Sequence, residues 1–282
     1  MNDGGCGSLP ADAGIGRVDL VVNDIDRVRG FYLDTIGLEV IDETTDRLNL
    51  GTGMTTLISL TERPDLAPRP MRAAGLFHLA IRVPMPHDLA GVARRLDAEN
   101  SLTGASDHGV SEALYTRDPA GNGVEVYRDR PRADWPGAGD AVAMQTAPLD
   151  VASLIEAEST TGGEVLPPET DIGHVHLEVT DLERSAAYYT ETLGFRERDR
   201  RRGAKFLAAG DYHHHVGINV WNSRTEPVQG LGSVVVTVAV PDRTSVDTVA
   251  GVLEAAGHEI DRTDDACLVA DPDGIGIRIA RR

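Results

Sequence analysis

The chain of 282 residues is 41% apolar, enough to bury one large core or two ordinary ones. A formal charge of −18 argues against nucleic acid or an anionic membrane as partner, and no run approaches the roughly 18 consecutive apolar residues that span a bilayer. Cys6 and Cys267 stand at opposite ends and cannot build a disulfide framework, and the opening MNDGGCGSLPADAG lacks the basic and apolar regions of a secretory signal, so a soluble cytoplasmic protein is expected.

Residues 1–14 read as a tail. From Ile15, IGRVDLVVNDIDRVRGFYLDTIGLEV reads as a short alternating strand, a helix opened by Asp24 and carrying the aromatic pair Phe31 and Tyr32, then Gly37 to end it. From Phe77, FHLAIRVP is a strand before a helix that runs through Leu96, and RDPAGNGVEVYRD is a turn and a closing strand. Residues 132–171 form a Pro-, Gly-, Ser- and Thr-containing connection with a helix expected around Leu149–Glu158. Its length is unusual inside a compact domain. IGHVHLEVTDLERSAAYYTETLGFRE from Ile172 then repeats the first segment, with Asp181, Tyr188, Tyr189 and Gly194 in the matching places. VVVTVAVP from Val234, a helix through Ala256 and ADPDGIGIRIARR repeat the second. The reading is four units of strand, helix and three strands. A first domain spans 15–131 (modules of about 15–65 and 75–131) and a second spans 172–282 (about 172–223 and 232–282).

Strand alternation sorts the side chains by face. In HVHLEV, Val175, Leu177 and Val179 suit a helix-facing side, so His174, His176 and Glu178 point the other way. In HLAIRV, Leu79, Ile81 and Val83 leave His78 opposite, and in GVEVY, Val124 and Val126 leave Glu125 and Tyr127 opposite. In YHHHVGINVW, His214, Val216 and Ile218 share one side, so His213 and His215 take the other.

The segments SDHGVSEALYTRDPAGNGVEVYRDRPRADW, GHVHLEVTDL and AAGDYHHHVGINVWNS resemble the vicinal oxygen chelate superfamily, and within it the two-domain, catechol 2,3-dioxygenase-like proteins of bacteria. The resemblance implies an α+β fold of four βαβββ modules forming two half-barrel, cup-shaped mixed β-sheets with helices outside. It places the family's ligand positions on Arg17, His78, Glu125, His174, Val235 and Arg278. Three of these can bind a metal. Two histidines and one carboxylate are the set used by non-haem Fe(II) oxygenases, with Mn(II) as the alternative ion. A lone strand histidine is more often structural than a ligand, and His176 competes with His174 for the role. The coincidence of all three on homologous positions carries the reading. The triad is complete only if the second module pairs with the third, so exchanged pairing is expected, with His174 within about 10 Å of His78.

By the same resemblance, His215 is the acid/base histidine, His108 a second active-site histidine, and Tyr115 the tyrosine that hydrogen-bonds a substrate oxygen. The implied activity is an Fe(II)-dependent extradiol dioxygenase of aromatic hydrocarbon catabolism. It would open catechol or a substituted catechol with O2 to a 2-hydroxymuconic semialdehyde. Two alternatives stay open. One is another metal-dependent enzyme of the superfamily, a glyoxalase-like isomerase or a resistance transferase, although MTTLISL in the first module supplies no fourth ligand. The other is a metal-free protein that binds an aromatic ligand. The particular diol and a homo-oligomeric state are also open.

Overall fold

The computed structural model describes residues 9–137, 143–157 and 163–282. Cys6, most of the expected tail and Glu158 lie outside the described residues. The strands lie in two mixed sheets, of eight and nine strands. The chain divides into two compact units, the first of residues 20–66 and 77–173, the second of residues 1–19, 67–76 and 174–282.

The four repeats appear as βαβββ modules. The first is β1 (Gly14–Val22), α1 (Ile25–Gly30), β2 (Glu39–Glu43), β3 (Arg47–Thr52) and β4 (Thr55–Glu62). The second is β5 (Gly75–Arg82), α2 (Pro86–Ala98), β6 (Gly104–Asp107), β7 (Ser111–Arg117) and β8 (Gly123–Asp129). In the connection lie β9 (Ala147–Pro148) and α3 (Val151–Ala157), the helix expected there. The third module is β10 (Asp171–Glu178), α4 (Leu182–Ala187), β11 (Arg196–Arg201), β12 (Ala204–Ala208) and β13 (Val216–Asn219). The fourth is β14 (Val234–Val240), α5 (Arg243–Ala255), β15 (Asp261–Arg262), β16 (Ala266–Ala270) and β17 (Gly276–Arg281).

In the second, third and fourth modules the opening strand pairs in parallel with the closing one: β5 with β8, β10 with β13, β14 with β17. The other strands of each module follow in antiparallel order. Parallel neighbours need a crossover, and the helix after each opening strand begins it. These helices bury one stripe: Leu89, Val92, Ala93 and Leu96 in α2, and Val246, Val249, Ala250 and Leu253 in α5.

Local signals define the helix ends. Asp24 accepts the backbone N–H of Arg27 at 3.0 Å, and Asp181 accepts those of Glu183 and Arg184. Gly37 stops the first helix at φ 93°, and a Cβ there would also stand 2.6 Å from the Glu164 carbonyl oxygen. Between cap and stop the structure departs from a plain α-helix. Phe31–Ile36 and Tyr188–Thr192 are π-helical turns, and the aromatic pairs sit in them. The pairs have a structural task. Tyr32 is fully buried and donates its hydroxyl to Asp118 of the second module at 3.1 Å, while Tyr189 donates to Asp271 of the fourth at 3.0 Å. Both aspartates belong to the Asp-Pro turns, so one tyrosine–aspartate bond ties the two modules of each unit together.

Burial pushes Asp271 up to about 6 against its hydrogen bonds, and raises Asp118 as well. Lys205, the sole lysine of the sequence, is buried on β12 with its ammonium 2.5 Å from Glu183. Cys267 is a free, buried thiol. Among the described residues no helix is long and apolar enough to cross a membrane.

Candidate metal centre

His78 stands on β5 and Glu125 on β8, whose parallel register sets Ala80 beside Glu125 and Leu79 beside Val124. The approach is close because residue 123 is glycine: a Cβ there would overlap the Phe77 carbonyl oxygen and lie 3.0 Å from His78 Cβ. His78 Nε2 and Glu125 Oε2 are 3.0 Å apart, and both residues are buried. One ligand atom from each of His78, Glu125 and His174 lies within 4.8 Å of the others, and all three residues are buried. Among the described residues this is the one group of three or more metal-capable side chains. The donors suit a divalent ion. Two imidazole nitrogens and a carboxylate oxygen are borderline ligands for Fe(II) or Mn(II), and such side chains are rarely buried together without an ion or a partner to stabilise them.

Tyr115 faces Glu125 across the β7–β8 pair. Its phenol is held well above its ordinary pKa, first by burial and then by the charge of Glu125 and a hydrogen bond to it, so it stays protonated. The Tyr115 hydroxyl is also 2.8 Å from His108 Nε2, and His108 Nδ1 is 2.8 Å from the Gln145 carbonyl. A carbonyl only accepts, so Nδ1 carries a proton. With neutral His108 the phenol then donates to Nε2; with charged His108 it receives from Nε2 and is free to donate to Glu125. The connection supplies this anchor, since the Gln145 N–H also donates to the His108 carbonyl at 3.0 Å and β9 pairs with β6.

In the second unit the alternation expected from Tyr212 does not hold, because β13 begins only at Val216 and His213–His215 lie in irregular chain. All three are buried. His213 and His214 bring their Nδ1 atoms to 2.7 Å, and the His214 ring centroid is 4.1 Å from that of His174. His214, assigned by alternation to the apolar side, is thus the ring packed on His174. His215 stacks on Tyr212 at 4.9 Å, and its Nδ1 accepts the Ala209 N–H at 3.2 Å, which leaves the ring proton on Nε2. His176 rests over Gly217, where a Cβ would be 2.9 Å from its ring, between Phe206 and Trp221, and is outside the metal-capable group. Glu178, on the same side of β10, is engaged by Arg69 at 2.5 Å and Arg224 at 2.8 Å.

A family model described as the Glyoxalase/Bleomycin resistance protein/Dioxygenase superfamily matches residues 14–126 and 171–279. The chain is 37% identical over 273 residues to a catechol-2,3-dioxygenase of Bacillus subtilis (strain 168), covering 94% of this chain and 96% of that one. It is 24% identical over 257 residues to a manganese-dependent 2,3-dihydroxybiphenyl 1,2-dioxygenase of Geobacillus genomosp. 3, covering 86% and 72% of the two chains. Glyoxalase I from Zea mays shares the fold, with a TM-score of 0.57 at 19% identity over 96% of this chain and 92% of that one. Repeat, fold and sequence agree: the chain is an oxidoreductase that belongs to the glyoxalase/bleomycin resistance protein/dioxygenase superfamily.

Proposed function

We propose that this protein is a metal-dependent extradiol dioxygenase that opens catechol or a substituted catechol with O2 to a 2-hydroxymuconic semialdehyde, with His78, Glu125 and His174 holding Fe(II). The observation that carries the reading is the buried group of two histidines and one carboxylate. The relationship to a catechol-2,3-dioxygenase supports the substrate class. Fe(II) bound there would draw electron density from a chelated diol towards O2 and leave about three positions for the two substrates.

The chain's own groups then bind, orient and move protons. Two neutral imidazoles and one carboxylate leave a divalent ion with one uncompensated positive charge, which suits a singly deprotonated diol. Tyr115, kept protonated, offers a hydroxyl to a diol oxygen, and His108, anchored on Gln145, fixes the direction of that hydroxyl. His215, whose Nδ1 accepts the Ala209 N–H, would present its Nε2–H as a hydrogen-bond donor to a bound oxygen, and the buried His213–His214 pair packs against the ligand His174. Mn(II) suits the same donors, and the manganese-dependent relative supports it as the second candidate ion. The test is anaerobic reconstitution with Fe(II) or with Mn(II), addition of catechol and admission of O2. A yellow ring-fission product is expected. Stoichiometric metal uptake without turnover of any catechol would remove the proposal.

A further inference from the structure

The three homologous positions without a metal-capable side chain, Arg17, Val235 and Arg278, lie on β1, β14 and β17. Arg17 Nε is 2.6 Å from Asp19 Oδ1, Arg278 Nη1 is 2.5 Å from Asp19 Oδ2, and Arg278 Nη1 is 3.4 Å from Thr237 Oγ1. Among the described residues Asp19 is the one acidic partner of both guanidinium groups. Two cations therefore share one anion, leaving a local charge of +1 in a chain of −18. An ion pair that only joined β1 to β17 would need a single arginine, and the second adds repulsion unless an anion compensates it. The side chains of Arg17 and Arg278 are 33% and 26% exposed, so a ligand can reach them from solvent. Arg278 spends Nη1 on these bonds, and its Nε and Nη2 remain available to a planar acceptor.

The surface beside Arg278 is apolar. Along β17, Ile277 and Ile279 are buried, while Gly276 and Arg278 are partly open on the other face. Across the pair with β16, Leu268 registers with Arg278 and Ala270 with Gly276. Residue 276 is kept bare, since a Cβ there would stand 2.8 Å from Val235 Cγ2. A cavity of about 400 Å³ is lined by Ile260, Leu268, Val269, Ala270 and Gly276, with Glu259 and Asp261 as its acidic members. Gly276 and Arg278 are roughly 7 Å apart along the strand, about the reach of one small molecule.

We propose that this face of the fourth module binds a small monocarboxylate with an apolar body, the carboxylate on Arg17 and Arg278 and the body over Gly276 and Ala270. Glu259 and Asp261 disfavour a second negative charge on the ligand. The site does not depend on the ring-cleavage reading, because it uses none of the metal-centre residues.

The test titrates benzoate into the metal-loaded protein by calorimetry, with benzamide as the neutral isostere. Saturable binding of one benzoate per chain is expected, with benzamide weaker by about tenfold or more and the affinity falling as salt rises. Arg278→Met should weaken benzoate about tenfold. Asp19→Asn, which releases both guanidinium groups, should tighten it severalfold, whereas a purely structural ion pair predicts no gain. Glu125→Ala, titrated beside metal-free wild type, should bind benzoate as the wild type does. If Arg278→Met does not fold, Arg278→Lys keeps the charge without the planar donor pair and should still bind more weakly. Equal binding of benzamide, no tightening in a folded Asp19→Asn, loss of binding in Glu125→Ala, or no saturable binding in the millimolar range would each overturn the proposal.

Discussion

Replacing Asp271 by asparagine should make the protein's stability less dependent on pH, by an amount the structure sets. Asp271 is 5% exposed. Its Oδ1 accepts the backbone N–H groups of Asp273 at 2.8 Å and Ile275 at 2.9 Å, and its Oδ2 accepts the Tyr189 hydroxyl at 3.0 Å. Burial outweighs these bonds and, with the neighbouring charge of Asp273, moves the carboxyl from 3.8 to about 6. The folded state therefore holds this proton more tightly than the unfolded chain. Below pH 3.8 both states are protonated and the group is neutral to stability. Between 3.8 and about 6 the unfolded chain releases the proton while the folded chain retains it, so stability falls as pH rises, and the loss is complete above 6. A gap of about two units is worth about 3 kcal/mol. Asparagine keeps an oxygen for the two N–H groups and offers an N–H₂ to Tyr189, but cannot ionise. Urea unfolding of metal-free wild type and Asp271→Asn at pH 4 and pH 7 gives the difference in unfolding free energy at each pH. That difference should move in favour of the variant by about 2.5 kcal/mol between pH 4 and pH 7, since the unfolded-state carboxyl is already partly ionised at pH 4. Contributions from carboxylates that do not interact with Asp271 cancel in the subtraction. A difference that stays constant across this range would refute the reasoning.

Other outcomes follow from the proposed metal centre and its supports. Glu125→Ala should abolish metal retention and ring cleavage while circular dichroism stays unchanged; retained stoichiometric metal would count against the triad. Tyr115→Phe should lower kcat about 10²-fold with little change in metal content, and His108→Phe should reproduce part of that loss, because it removes the partner that orients the hydroxyl. If His108→Phe has no effect on kcat while Tyr115→Phe does, the positioning role is wrong. Gly173→Ala should destabilise the first unit by about 3 kcal/mol in thermal or urea unfolding, since a Cβ there would overlap the Tyr127 hydroxyl. Adding Tyr127→Val should recover part of that loss, and an additive result would show that the overlap is not the cause.

Much of this protein can be read from local pattern alone. Capping by Asp24 and Asp181, the glycine stop at Gly37, and the strands bearing His78, Glu125 and His174 depend on neighbours a few residues away, so periodicity and turn chemistry reveal them in the linear chain. The fourfold repeat makes positions in the four modules equivalent, and the family resemblance implies which of them a metal ligand would take. Other features have no local signature. His213–His215 lie in irregular chain, where alternation assigns no face, so only folding shows His214 against His174 and His215 turned to Tyr212 and the Ala209 amide. The docking of Gln145 on His108, and through it the orientation of Tyr115, joins residues 37 positions apart through a backbone carbonyl that any amino acid would supply. The aromatic pairs look in sequence like ordinary core, yet Tyr32 reaches Asp118 across 86 residues and Tyr189 reaches Asp271 across 82. Residue types and strand faces were therefore set by sequence, because they obey short-range sterics and hydrogen bonding. Which hydroxyl, imidazole or guanidinium meets which partner was left to tertiary structure, because such contacts depend on how distant segments close in space.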